Sequence, residues 1–164
     1  MNKFWARAAR RIKRGLLAWR FRLWQRQRYD RLVLERIDGQ PFVILPQVFN
    51  PALFEASTFL ARTLNLIPLA PETSVLDLGT GSGLNAIMAA HRSCCVTASD
   101  INPEAVRCAH INALLNHVEE RVEIFEGDLF APLIDRRFDV IVFNPPFFAA
   151  RRVIYWIGPG DQRM

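Results

Sequence analysis

Four short stretches of the chain carry residue types suited to binding or transferring a chemical group, and each lies where an apolar run ends. The first is Gly79-Thr80-Gly81-Ser82-Gly83. Glycines let the backbone turn sharply and let a ligand approach the main chain closely. The amides that open the following helix suit an anionic group such as a carboxylate. The spacing, with Leu84 in sixth place, departs from the Gly-x-Gly-x-x-Gly dinucleotide fingerprint. Alone, the loop is equally well a tight strand-to-helix turn. The second stretch is Asp100, 21 residues beyond Gly79. An acid at that distance, ending the next strand, can accept both hydroxyls of a ribose. The plainer reading is a turn acid beside a helix cap at Asn102, and the combination with the glycine loop favours binding. The third is Asp128, which follows Gly127 and is either a turn acid or an acceptor for an exocyclic amine.

The fourth stretch, Asn144-Pro145-Pro146-Phe147, is the most specific. Two prolines remove two backbone donors and hold the chain extended. The carbonyls of Asn144 and Pro145 and the Asn144 amide are then free to accept hydrogen bonds from a planar amino group. Phe147 offers a face on which a flat group can stack. A plain strand exit needs no Asn and rarely needs two prolines flanked by aromatics.

These stretches require a frame that brings them together. Residues 75–78, 95–99, 122–125 and 138–143 read as short apolar strands. Between them, one helix is predicted from Gly83 to about His91. A second runs from Pro103 to about Asn116, with Asn102 as its cap and Glu104 in its first turn. Strands alternating with helices imply right-handed crossovers and a parallel sheet, an α/β fold of Rossmann-like type. Ligands of such sheets sit outside the carboxyl ends of the strands, where all four stretches fall. His91, His110 and His117 lie on predicted helices or their ends and read as structural or exposed.

Composition sets the outer bounds. The chain has 164 residues, 51% hydrophobic, 23% charged and 11% aromatic, which suits a buried core and excludes disorder, collagen-like fibres and disulfide scaffolds. No apolar run approaches the roughly 20 residues needed to span a bilayer. Cys94, Cys95 and Cys108 have neither paired nor metal-ligand spacing, so no metal is expected. They suit a reducing compartment, taken as cytoplasmic, with the thiols packed as small hydrophobes.

The net charge of +5 hides two unlike parts. Residues 1–36 carry twelve Lys/Arg against Asp30 and Glu35, while the remainder carries nine Arg against fourteen acids. Phe4, Ala8, Ile12, Leu16, Trp19 and Leu23 recur at helical spacing, so residues 1–37 are expected to form a basic amphipathic helical arm. It reads as a helix laid on the domain, as an arm for RNA or ribosomes, or as a membrane-surface or targeting helix. Residues 38–73 read as a linker with a short helix over 54–66, and residues 74–164 as the α/β domain.

Residues 74–147 resemble the class I S-adenosylmethionine-dependent methyltransferases, in the branch carrying Asn-Pro-Pro-(Phe/Tyr). Val48-Phe49-Asn50-Pro51 followed by Thr58-Phe59-Leu60 is similar to the Val-Tyr-x-Pro…Asp-Thr-x-Leu stretch of HemK-like release-factor glutamine methyltransferases, with Ser57 where Asp is usual. The resemblance implies S-adenosyl-L-methionine as cofactor. Asp77, Gly79, Thr80, Gly81 and Gly83 would hold its methionine part, and Asp100 with Ile101 its ribose side. Asp128 and Leu129 would contact adenine, Thr58 would line the pocket, and Asn144 with Pro145, Pro146 and Phe147 would grip the target amine. It implies N-methyl transfer to a protein glutamine of release-factor type, or to an exocyclic amine of a nucleic-acid base. The alternative is a cofactor-binding remnant without activity. The resembled fold continues beyond the fourth strand, so its C-terminal strands are expected to be missing, with residues 153–157 as one candidate extra strand.

Overall fold

A computed structural model describes residues 30–145. The basic arm before Asp30, Pro146, Phe147 and the run 153–157 lie outside the described residues.

The first elements correct the expected helix. Strands β1 (Val33–Ile37) and β2 (Gln40–Ile44) form an antiparallel hairpin, with Ile37 opposite Gln40. Asp38 (φ 49°) and Gly39 (φ 85°) are both left-handed, the two-residue turn that Asp-Gly favours because it matches strand twist. Once that turn pairs the flanking segments, residues 33–37 alternate in burial at period two and cannot continue a helix. The linker is likewise corrected. Phe42, Ile44, Leu45, Val48, Ala61 and Leu64 are buried in one apolar cluster with the sheet and its helices. Full burial of such a side chain contributes about 1.5–3 kcal/mol, so this segment is part of the domain. Helix α1 (Glu55–Leu64) turns Ser57, Ala61 and Leu64 inward.

The α/β unit follows the sequence reading closely. Its elements are β3 (Ser74–Leu78), α2 (Leu84–Ala90), β4 (Cys95–Asp100), α3 (Pro103–Leu115), β5 (Val122–Glu126) and β6 (Val140–Phe143). Asn102 caps α3 by accepting from the Glu104 amide at 3.0 Å, with Pro103 in the first turn. The four strands are parallel in the order β5-β4-β3-β6. Val75, Val96, Ala98, Val122 and Val142 belong to the cluster that includes α2 and α3. Leu76 and Leu78 pack instead with Leu133, Phe125 and Phe138.

The chain moves outward from β3 to β5 and then returns to the other side of β3. This creates a topological switch point between β3 and β6, the place where open α/β sheets leave a crevice for ligands.

Cys108 is buried as expected; Cys94 and Cys95 are exposed, which corrects their reading as packed hydrophobes. His91, His110 and His117 are all exposed. Among the described residues no helix is long and apolar enough to cross a membrane.

Candidate active site at the switch point

The glycine loop leaves β3 with three left-handed residues, Gly79 (φ 68°), Gly81 (φ 57°) and Gly83 (φ 84°). The amides of Gly79 and Thr80 donate to the Ser99 carbonyl at 2.8 and 2.9 Å, which ties the loop to the end of β4. A Cβ built on Gly81 would meet nothing within 4 Å, so the loop faces open space. A ligand's group can lie there directly against the backbone.

Asp77 and Thr80 are placed beneath this loop, not in its open side. Asp77 is 1% exposed, and its carboxylate accepts from Thr80 Oγ1 (2.6 Å), Asn85 Nδ2 (3.3 Å) and the Ala86 amide (3.1 Å). The side chains of Asp77 and Thr80 thus position the loop against the start of α2. Burial pushes the Asp77 carboxyl up to about 6, against the lowering effect of its three donors; the Asp100 charge adds a smaller upward push. Asn85 Oδ1 is buried with no hydrogen-bond partner.

Asp100 ends β4 in a half-buried position. One carboxylate oxygen accepts from the Gly81 amide at 2.8 Å and the other from the Asn102 amide at 2.9 Å. Each oxygen retains acceptor capacity toward hydroxyl donors. Ile101 beside it is exposed. The Gly127 amide donates to the Asp100 carbonyl at 2.9 Å, which brings the Asp128-Leu129 turn to the same rim. Leu129 is left-handed (φ 49°), a conformation sparsely used by non-glycine residues and enriched at ligand sites. Its carbonyl accepts from Ser99 Oγ at 3.4 Å.

Asn144 follows β6, whose last residue, Phe143, pairs with Leu78. The start of the glycine loop and the Asn-Pro step are therefore neighbours across the switch point. The Phe143 ring lies 3.6 Å from where a Gly79 Cβ would be. Asn144 and Pro145 are both half-buried.

The segment before the sheet closes on this rim at two points. Asn102 Nδ2 donates to the Gln47 carbonyl at 3.0 Å, and Asn144 Nδ2 donates to Ser57 Oγ at 3.0 Å. Phe49 stacks on Phe54 at 4.6 Å between centroids, and Asn50 caps the turn Pro51–Leu53 while donating to Glu35. Thr58 turns its hydroxyl back to the Glu55 carbonyl at 3.0 Å, so its expected place in the pocket is not what this hydrogen bond serves.

Sequence reasoning missed Asn112. It is fully buried on α3, donates to the carbonyls of Val43 (2.7 Å) and Ser82 (2.8 Å), and accepts from the Val43 amide at 2.7 Å. One side chain thereby binds the hairpin to the glycine loop. An Asn among the alanines of a buried helix face was the available signal.

Gly81's open cradle, the oriented Asp100 carboxylate, the Asp128-Leu129 turn and Asn144 line the carboxyl ends of all four strands. A bipartite ligand with an amino-acid part and a ribosyl-adenine part suits this donor and acceptor set.

Comparison with known proteins agrees with that geometry. Over 111 residues the chain is 37% identical to a release factor glutamine methyltransferase of Aquifex aeolicus, covering 66% of this chain and 39% of that protein. Over 87 residues it is 40% identical to a tRNA1(Val) (adenine(37)-N6)-methyltransferase of Klebsiella pneumoniae, covering 50% of this chain and 36% of that protein. Its fold matches the T. thermophilus 16S rRNA N2 G1207 methyltransferase, solved with AdoMet and guanosine, with a TM-score of 0.60 and 29% identity. That likeness covers 72% of this chain and 33% of the solved one. The chain spans between about a fifth and about half of the length of the curated relatives it matches. Residues 40–158, from the hairpin's second strand onward, match the methyltransferase small domain, and the chain belongs to that family.

Proposed function

We propose that this chain binds S-adenosylmethionine and directs its methyl group to a planar amide or amino nitrogen, with a protein glutamine of release-factor type as the favoured acceptor. The observation that carries this reading is Asn144, anchored beside the open glycine cradle at the switch point. The cofactor, when bound, supplies a methyl group already activated on a sulfonium. The protein's task is then alignment more than acid-base chemistry.

Each residue's part follows from its place. The Gly79–Gly83 backbone receives the amino-acid end, shaped from below by Asp77 and Thr80. Asp100 accepts the ribose hydroxyls on lone pairs its two backbone donors leave open. Asp128 and the Leu129 backbone receive the adenine. Asn144 Oδ1 and the Pro145 carbonyl accept the target's N–H groups, turn its lone pair toward the methyl carbon and disperse the positive charge that develops on nitrogen. We place the protein in the cytoplasm, whose reducing conditions suit the exposed thiols of Cys94 and Cys95.

Glutamine is favoured by the release-factor relatives and by the Val48-Phe49-Asn50-Pro51 turn next to α1. A second reading, a nucleic-acid base amine, is supported by the adenine-N6 relative and by the twelve basic residues of 1–36. That arm would hold the phosphates around an unstacked base. The test is transfer of labelled methyl from S-adenosylmethionine to a release factor, to the same factor with its target Gln replaced by Glu, and to total tRNA. Label on the first substrate alone supports glutamine. Label on tRNA, lost when residues 1–29 are deleted, replaces it with the base reading. Cofactor binding with label on none of the three reduces the chain to a cofactor-binding module.

A further inference from the structure

Ser57 and Asn144 are 87 residues apart in sequence, yet Asn144 Nδ2 donates to Ser57 Oγ at 3.0 Å. Ser57 is 4% exposed and sits in the first turns of α1, so its hydroxyl is held by a packed helix face. An asparagine amide is close to symmetric in shape and opposite in chemistry at its two ends. If Nδ2 faced the acceptor, the target's NH2 would meet another NH2. If Oδ1 faces it, the target's proton has an acceptor. With Nδ2 held by Ser57, Oδ1 is the end left to accept from the target.

We propose that Ser57 is a positioning residue for the methyl-transfer site: through its hydroxyl, helix α1 holds the Asn144 amide in place beside the target nitrogen. The proposal rests on the N-methyltransferase reading above and deepens it. Its consequence is that the segment before the sheet controls acceptor alignment. The cofactor cradle depends on different contacts, made by Ser99, Asp77 and Asp100.

The test uses the 164-residue chain and its Ser57→Ala variant, which removes only the hydroxyl from a helical position. With 15N-labelled asparagine, the Asn144 side-chain amide is identified by its absence from Asn144→Ala. Its hydrogen exchange is then read with no methyl donor present. Faster exchange is expected in Ser57→Ala. With donor and the acceptor identified above, kcat should fall about tenfold, the loss of roughly one hydrogen bond in the transition state. Cofactor Kd and Tm should remain as in the parent chain.

Unchanged exchange overturns the proposal, and so does faster exchange with unaltered kcat. A parallel loss of kcat and cofactor affinity also overturns it, by making Ser57 merely structural. If the parent chain methylates nothing, the function reading fails while the exchange measurement still decides whether Ser57 holds the amide.

Discussion

A Cβ on Gly83 would lie 3.1 Å from both the Cα and the Cβ of Ala109, so α2 starts pressed against the middle of α3. The residue is also left-handed, at φ 84°. Contact and conformation therefore both demand glycine. Gly83→Ala should destabilise the domain by about 2–4 kcal/mol, combining left-handed strain with overpacking. Urea denaturation checks this, and a change below about 0.5 kcal/mol would show that the two helices separate freely.

The Asp77 carboxyl titrates at about 6 in the folded protein against an ordinary 3.8. Between these values the native state holds a proton that the unfolded chain has released. Stability from this group is therefore fully present below about pH 4 and is lost as pH rises to about 6. The integrated effect is on the order of 3 kcal/mol. The stability of the parent chain relative to Asp77→Asn, which does not titrate, should fall by that amount between pH 4 and 7. A difference that stays flat over this range would place the carboxyl's titration elsewhere.

Asp100→Ala removes the charged acceptor of two backbone amides and of the expected ribose hydroxyls. S-adenosylmethionine affinity should drop about 10- to 100-fold, the range for losing hydrogen bonds to a charged group. Calorimetric titration measures it directly. Binding within twofold of the parent chain would remove Asp100 from the cofactor site.

Asn144→Ala takes away the proposed acceptor for the target nitrogen and leaves the glycine cradle in place. Methyl transfer should fall at least about 100-fold, as for the loss of a transition-state hydrogen-bond partner. Cofactor affinity should stay within about twofold. Equal losses in both quantities would assign Asn144 to the cofactor and not to the acceptor.

Much of this was readable in advance because the signals are local. The apolar strands, the Asn102-Pro103-Glu104 cap and the glycine loop each declare themselves within a few residues, and the observed elements lie within one or two residues of those expected. The hairpin was missed because helical spacing in the preceding arm was carried through residues 33–37. Asp38-Gly39 was read as a linker boundary when it is a two-residue strand turn. The contact of Ser57 with Asn144 and the span of Asn112 from Val43 to Ser82 had no local signature. Each arises only when packing brings distant segments together, and a polar residue in a buried face does not name its partner.

Strand β6 joins β3 by pairing Val75 with Val140, 65 residues along the chain, whereas β4 is met only about 20 residues after β3. Loop-closure entropy makes the longer connection the slower one to form. During synthesis, β3, β4 and β5 emerge and can pair before β6 leaves the ribosome. The rim proposed to bind the nucleoside is thus assembled ahead of Asn144, proposed to hold the acceptor. Among the described residues β6 is also an edge strand, with Ile141 and Phe143 exposed. Folding order thus divides the molecule as its proposed chemistry does, with the donor side built early and the acceptor side added last.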